Sequence, residues 1–386
     1  MRIAIVTESF LPQVNGVTNS VLRVLEHLRA AGHRTLVIAP GSGMEWYGDT
    51  RVVRLPAVQL PAVKSLPVGL PTRALDAALE EFGPDVVHLA SPFVVGARGA
   101  QAARRLGVPS VAVYQTDVAG FADSYGLGFA RRAAWRWIRR LHSTVDRTLA
   151  PSTESARQLH EHGVPRVHLW RRGVDVSRFS PELADRGLRA ALAPHGELLV
   201  GFVGRLAPEK EVDRLAALEN VPGVRLVVVG DGPAREALRR RMPGAAFLGA
   251  RYGDELAAVY ASLDVFVHTG PHETFCQTVQ EAMASGVPVL APAAGGPMDL
   301  VRDGVTGYLL PVERGAFRAA LLGRIDQLAD DRSRAGMGAR GRATVRARTW
   351  QAVCAELLVH YGDVTGSPVS PGGDAVEDGY AGRMSA

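Results

Sequence analysis

The chain has 386 residues, enough for two domains of ordinary size, and its 47% hydrophobic content lets each bury a core. No apolar run approaches the ~20 residues of a membrane span, and the apolar part of the N-terminus is too short for a secretory signal, so a cytosolic address is expected. Two cysteines, Cys276 and Cys354, exclude a disulfide framework or a cysteine-rich zinc site, and a net charge of +5 is too modest to call for nucleic acid.

In chain order, strands are expected near 2–6, 34–39, 51–54, 85–89, 109–113, 146–150 and 166–170, with helices between them near 17–31, 72–82, 95–106, 128–142 and 152–162. The first helix sets Val17, Val21, Val24, Leu25 and Leu28 on one face and ends at Gly32. The stretch 172–181 reads as a connector. The rhythm then restarts with strands at 198–203, 225–229, 245–248, 263–267 and 288–290, and helices near 209–219, 233–242, 253–261 and 275–285. Such alternation predicts an α/β fold with parallel sheets. Two Rossmann-like, doubly wound domains facing a cleft are expected over 1–180 and 181–348, with ligands at the carboxyl ends of the strands. From 363 to 386 Ser-Pro, Gly-Gly and acidic residues replace periodicity, and disorder is expected.

Two glutamates, Glu273 and Glu281, bracket the segment after the strand at 263–267. Glu273 stands on a loop aimed at a helix N-terminus, whose free N–H groups and dipole attract phosphate. Glu281 lies on that helix, about 12 Å farther at 1.5 Å per residue. A sugar, a diphosphate and a ribose fit in line between them, although either glutamate alone reads equally as a solvated helix residue. Upstream, the strand at 198–203 runs into Gly204-Arg205-Leu206-Ala207-Pro208-Glu209-Lys210. Arg205 at the strand end and Lys210 at the next helix start can converge on one diphosphate, where fixed cations stabilise the charge building on a departing nucleoside diphosphate. Of 44 basic residues only Lys64 and Lys210 are lysines, which sharpens that spacing.

Gly230-Asp231-Gly232-Pro233 resembles part of a dinucleotide fingerprint, but Pro233 breaks it, and it reads as a strand-to-helix turn. No two aspartates are separated by a single residue, and His and Asp show no persuasive metal-ligand spacing, so no metal is expected. In the first half, Gly16 precedes a helix and either lets backbone approach a phosphate or belongs to a plain helix cap. Tyr114-Gln115-Thr116-Asp117 follows the strand at 109–113 and offers Gln115 and Asp117 to a sugar or acceptor; Asp117 serves equally as a loop cap. The helix at 128–142 carries Ala130, Ala133, Ala134, Trp137, Ile138 and Leu141 on one face. Arg131, Arg132, Arg136, Arg139, Arg140 and Trp135 surround the other side. That pattern suits an anionic membrane surface, or a domain helix with its arginines in water.

The Glu-x7-Glu run, with Gly-Val-Pro-Val and Gly-Gly-Pro after it, resembles the nucleotide-sugar domain of retaining glycosyltransferases of family 4. The likeness spans about residues 1–362 and is most specific over 199–310. It implies the GT-B fold, with a last helix near 349–362 crossing back to the N-terminal domain, and metal-independent transfer without a cofactor. It places Arg205 and Lys210 on the donor diphosphate, Glu281 on the ribose, Glu273 on the transferred sugar, and the backbone of Thr274, Phe275 and Cys276 on sugar and phosphate. Gly16 is implied near the donor phosphate. Arg251 becomes a candidate for base contact, as readily solvent-exposed. Where the family commonly has His, this chain has Gln115, which cannot act as a base. The Tyr-Gln-Thr-Asp-Val-Ala-Gly run looks closest to actinobacterial mannosyltransferases that use GDP-mannose. By that resemblance a hexose passes to a phosphatidylinositol-type or glucuronyl diacylglycerol acceptor, by an enzyme peripherally attached to the inner membrane face. A UDP-sugar transferase (glucosyl or sulfoquinovosyl), a nucleotide-sugar epimerase, a NAD-linked oxidoreductase and an idle lipid-binding module are the competing readings.

Overall fold

The computed structural model describes residues 1–13, 15–59, 67–70, 72–115 and 131–367. The first half contains β1 (Arg2–Thr7), β2 (Arg34–Pro40), β3 (Trp46–Tyr47), β4 (Thr50–Leu55), a small hairpin of β5 (Ala57–Gln59) and β6 (Pro67–Gly69), then β7 (Val86–Ala90), β8 (Ser110–Val113), β9 (Arg147–Ala150) and β10 (Val167–Leu169). Its main sheet runs β10-β9-β8-β7-β1-β2-β4-β3, parallel except for the short β3–β4 edge. The second half builds β11 (Leu198–Val203), β12 (Val224–Val229), β13 (Ala246–Gly249), β14 (Val265–Val267), β15 (Val289–Pro292) and β16 (Gly307–Leu310) into a sheet ordered β13-β12-β11-β14-β15-β16. Helices cover both faces of each sheet, so the inner strands are apolar throughout; Ile3, Ala4, Ile5 and Val6 are all fully buried.

Strand order reverses beside β1 in the first sheet and beside β11 in the second. Loops leaving the carboxyl ends at such points diverge and open a crevice. The loops after β1, β11 and β14 carry Gly16, Arg205 with Lys210, and Glu273.

The chain passes between the halves twice, side by side. Val174 forms a parallel bridge with Thr349, and its N–H donates to Arg348 O at 2.9 Å. Gly173 makes this crossing possible, because a Cβ there would stand 2.6 Å from the backbone of Trp350. The helix Trp350–Thr365 then packs on the first sheet, where Val353, Leu357 and Tyr361 join Ile3, Val86 and Trp170 in one core. Trp170 Nε1 donates to Val353 O at 2.9 Å, and the Tyr361 hydroxyl lies 2.7 Å from His88 Nδ1. Residues 363–365, expected in the disordered tail, are therefore helical; 368–386 lie outside the described residues.

Three other expectations need correction. The α-helix foreseen at 209–219 is two 3-10 segments, Pro208–Lys210 and Val212–Leu218, broken where Glu211 takes a left-handed φ of 45°. The second half also holds helices not foreseen, Arg186–Leu192, Arg314–Gln327 and Asp331–Val345, whose alanine, glycine and arginine content blurs their apolar stripe. The basic helix is described from Arg131 to His142, and its faces are rotated from the expected ones. Trp135 is buried, stacked on His162 with ring centroids 3.7 Å apart and on Tyr114 at 6.4 Å. Trp137 is instead 43% exposed, and Ala133 is exposed too. Two aromatic partners beneath position 135 offer more contact area than the core offers position 137. Arg131, Arg132, Arg136, Arg139 and Arg140 are exposed as expected.

Candidate active site

At the carboxyl end of the second sheet, Lys210 Nζ donates to Glu273 Oε1 at 2.5 Å. His268, the first residue after β14, is buried with Nε2 3.2 Å from the same oxygen. Burial pushes the Glu273 carboxyl up, but the Lys210 ammonium and His268 outweigh it and hold its pKa at about 2. Lys210 is desolvated as well, and Glu273 more than compensates, leaving its pKa raised. Burial likewise opposes the His268 imidazolium, and the Cys276 sulfur and Glu273 carboxylate overcome it, to about 10. The donor atoms of His268, Glu273 and Cys276 lie within 4.8 Å of one another, a grouping that sequence spacing did not reveal. Arg205 bonds to the buried Glu209 through Nη2 and keeps its other side toward solvent.

The Glu273 loop is held by two glycines. Gly296 N–H donates to Glu273 O at 2.8 Å, and a Cβ on Gly296 would fall 2.1 Å from Phe275 O. This explains the Gly-Gly-Pro sequence: it is a backbone cradle under Glu273 and Phe275. Cys276, at φ 75°, turns the loop into the helix Gln277–Ala284, a left-handed geometry that costs a non-glycine residue about 1 kcal/mol or more. Glu281 sits on that helix and accepts from the Tyr260 hydroxyl at 3.1 Å. Burial pushes its pKa up to about 7, against the lowering effect of that bond. At the Gly230–Gly232 turn a Cβ on Gly230 would lie 1.9 Å from Gly204 O, so the glycine lets the turn pack against the Arg205 loop.

From the first half, the helix Gly16–Ala30 points its N-terminus at the cleft. Asn15 is its cap, accepting from Val17 and Thr18 N–H at 3.0 Å each, and Gly16 N–H has no partner within the helix. Gln115 is buried at the end of β8; its carbonyl accepts from Thr274 Oγ1 at 3.0 Å, which ties the two halves together. Ser155 Oγ donates to Thr274 O at 3.2 Å, and Thr153 and Arg171 bind Asp299 at 2.8 and 3.2 Å. Asp117 lies outside the described residues. Arg251 is exposed and pairs with Glu255 at 3.2 Å, making no described bond to Lys210, Glu273 or Glu281. Sequence reasoning missed His268, Tyr260 and Arg172. The first and last do follow or precede recognisable punctuation, the end of a strand and a Gly-Val-Asp connector.

Two facing α/β domains with a cation–carboxylate cluster in the cleft are the marks of a GT-B glycosyltransferase. The Glycosyltransferase Family 4 model matches residues 14–178, and the Glycosyl transferases group 1 model matches 197–331. The chain is 56% identical, over 95% of its length and 97% of the other's, to the GDP-mannose-dependent alpha-mannosyltransferase of Mycobacterium tuberculosis (strain CDC 1551 / Oshkosh). It is 50% identical to the protein of the same description from Corynebacterium glutamicum, over 94% of this chain and 89% of that one. The solved sucrose-phosphate synthase of Thermosynechococcus elongatus superimposes with a TM-score of 0.79 at 21% identity, covering 95% of this chain and 99% of that one, which shows the fold. The chain belongs to glycosyltransferase family 4.

Proposed function

We propose that this enzyme is a retaining α-mannosyltransferase that moves mannose from GDP-mannose to a lipid acceptor. The observation that carries the donor assignment is 56% identity across 95% of the chain to a protein described as GDP-mannose-dependent. In this reading Glu281 receives the ribose hydroxyls, Arg205 and Lys210 face the diphosphate with Gly16 N–H, and Glu273 faces the mannose. Thr274, Phe275 and Cys276 contribute backbone N–H groups at the helix entry. Gln115 hydrogen-bonds the sugar or acceptor and takes no proton. As the C1–O bond to the diphosphate breaks, the acceptor oxygen attacks from the same face, and its proton passes to the departing phosphate oxygen. Lys210 and Arg205 supply the stabilising charge, with no metal or cofactor.

One feature supports a lipid acceptor presented at the inner membrane face, phosphatidylinositol-type or glucuronyl diacylglycerol. Among the described residues no helix is long and apolar enough to cross a membrane. The helix Arg131–His142 offers five exposed arginines and the exposed Trp137, a surface suited to anionic lipid.

The test is transfer to a membrane extract from GDP-mannose, UDP-glucose and UDP-sulfoquinovose in parallel. A strong preference for the first, unchanged by chelator, is expected. Equal use of a UDP-sugar overturns the mannosyl assignment, and product formed without acceptor points to an epimerase.

A further inference from the structure

Arg172 is only 8% exposed, yet its guanidinium meets no anion among the described residues. Its Nη1 donates to Gly16 O at 3.0 Å and its Nη2 to Gln115 Oε1, both neutral acceptors. Its own carbonyl accepts from Gln280 Nε2 at 3.1 Å. The equally buried Arg214 shows the usual solution, with Glu211 Oε2 at 2.6 Å. A buried cation without a counter-charge is unfavourable unless something supplies one. Burial holds the Arg172 pKa down to about 10 against the pull of Glu273, so the group remains charged at neutral pH.

The position tells which anion would suit it. Arg172 touches the first residue of the helix Gly16–Ala30, and a Cβ on Gly16 would lie 3.7 Å from Nη1. The described bonds use two of its five N–H donors. Through Gln115 and Gln280 it is bound to both halves of the cleft. Gln115 gains a reason here as well: an amide oxygen orients the guanidinium without neutralising it, whereas a carboxylate would.

We infer that Arg172 is a substrate-phosphate ligand, a third cation of the cleft that bonds only neutral oxygens among the described residues, so that a phosphate oxyanion completes it. The inference rests on the reading of the cleft as a nucleotide-sugar site. The phosphate belongs either to the nucleoside diphosphate or to an anionic acceptor headgroup.

Titration of the full chain and of Arg172→Gln, Arg172→Lys and Gln115→Glu with GDP, UDP and inorganic pyrophosphate tests it, alongside melting temperatures without ligand. Arg172→Gln is expected to weaken binding of the phosphate ligand at least tenfold, and Arg172→Lys to retain part of it. Gln115→Glu carries the decisive sign: it gives Arg172 an internal partner, so the melting temperature rises while phosphate affinity falls. A merely structural Arg172 would instead lower the melting temperature in Arg172→Gln and leave phosphate affinity at the parent's value. If nucleotide affinity is unchanged but KM rises for a phosphatidylinositol-type acceptor and not for glucuronyl diacylglycerol, the phosphate is the acceptor's. Unchanged affinities together with unchanged acceptor KM overturn the inference. Binding of pyrophosphate through Arg172 without binding of either nucleotide would remove the donor reading and leave this one standing.

Discussion

Lys210 and Glu273, 63 positions apart in sequence, share a 2.5 Å hydrogen bond that joins the loop after β11 to the loop after β14. Each neutralises the other, so a diphosphate bound beside them requires Lys210 to share its charge between carboxylate and phosphate. Lys210→Ala is expected to lower kcat about a hundredfold, the scale of losing one fixed charge stabiliser. It also removes the largest charge acting on Glu273, so its carboxyl rises from about 2 toward ordinary values and the acid limb of the rate profile moves to higher pH. Near-normal turnover would rule Lys210 out of the diphosphate site.

Glu281 should make stability and donor affinity respond to pH in opposite senses. Its carboxyl titrates at about 7 in the fold against an ordinary 4.5, so between those values the folded chain keeps a proton that the unfolded chain has lost. Ligand-free stability therefore falls as pH rises from 4.5 to about 7 and stays at the lower level above. Glu281→Gln is expected to melt higher than the parent at pH 8 and no higher at pH 4.5. Donor KM of the parent should fall over the same window, because the ribose hydroxyls need the ionised carboxylate. A variant that tracks the parent at both pH values would contradict this.

Gly296→Ala places a methyl 2.1 Å from Phe275 O, where only backbone can yield. The loop carrying Glu273 must shift, and a misplacement of about 1 Å at a reacting group lowers rate roughly a hundredfold. Expected are a kcat/KM loss of that order and a lower melting temperature. Retention of full activity would mean the cradle is incidental.

Charge reversal of Arg136, Arg139 and Arg140 should reduce sedimentation with anionic vesicles, each cation being worth about 1 kcal/mol near such a surface. Trp137→Ala should weaken binding further, whereas Trp135→Ala should lower the melting temperature, since Trp135 stacks inside on His162. Vesicle binding indifferent to the arginines would return this helix to an ordinary solvated role.

The family, the two parallel sheets and the Glu-x7-Glu run were legible in sequence because they rest on local order. Apolar strands at regular spacing need only period and composition, and glycines such as Gly296 announce backbone crowding by lacking a side chain. Less legible was anything set by a partner far along the chain. The basic helix shows this: 3.6-residue periodicity allowed two faces, and the positions of Tyr114 and His162 chose the one that buries Trp135.

The chain by itself determined which residue types stand at the ends of β1, β11 and β14, and hence that an anion-binding cleft would form there. Only the folded molecule decided how those groups are paired: Lys210 with Glu273, Glu281 with Tyr260, and Arg172 with two neutral oxygens and, among the described residues, no bonded anion. The physical reason is that charge and burial in the cleft depend on distances between loops far apart in sequence, some leaving neighbouring strands of one sheet and some leaving two different sheets. Those distances are fixed by strand order and by the packing of the two halves, and no periodicity along a single chain encodes them.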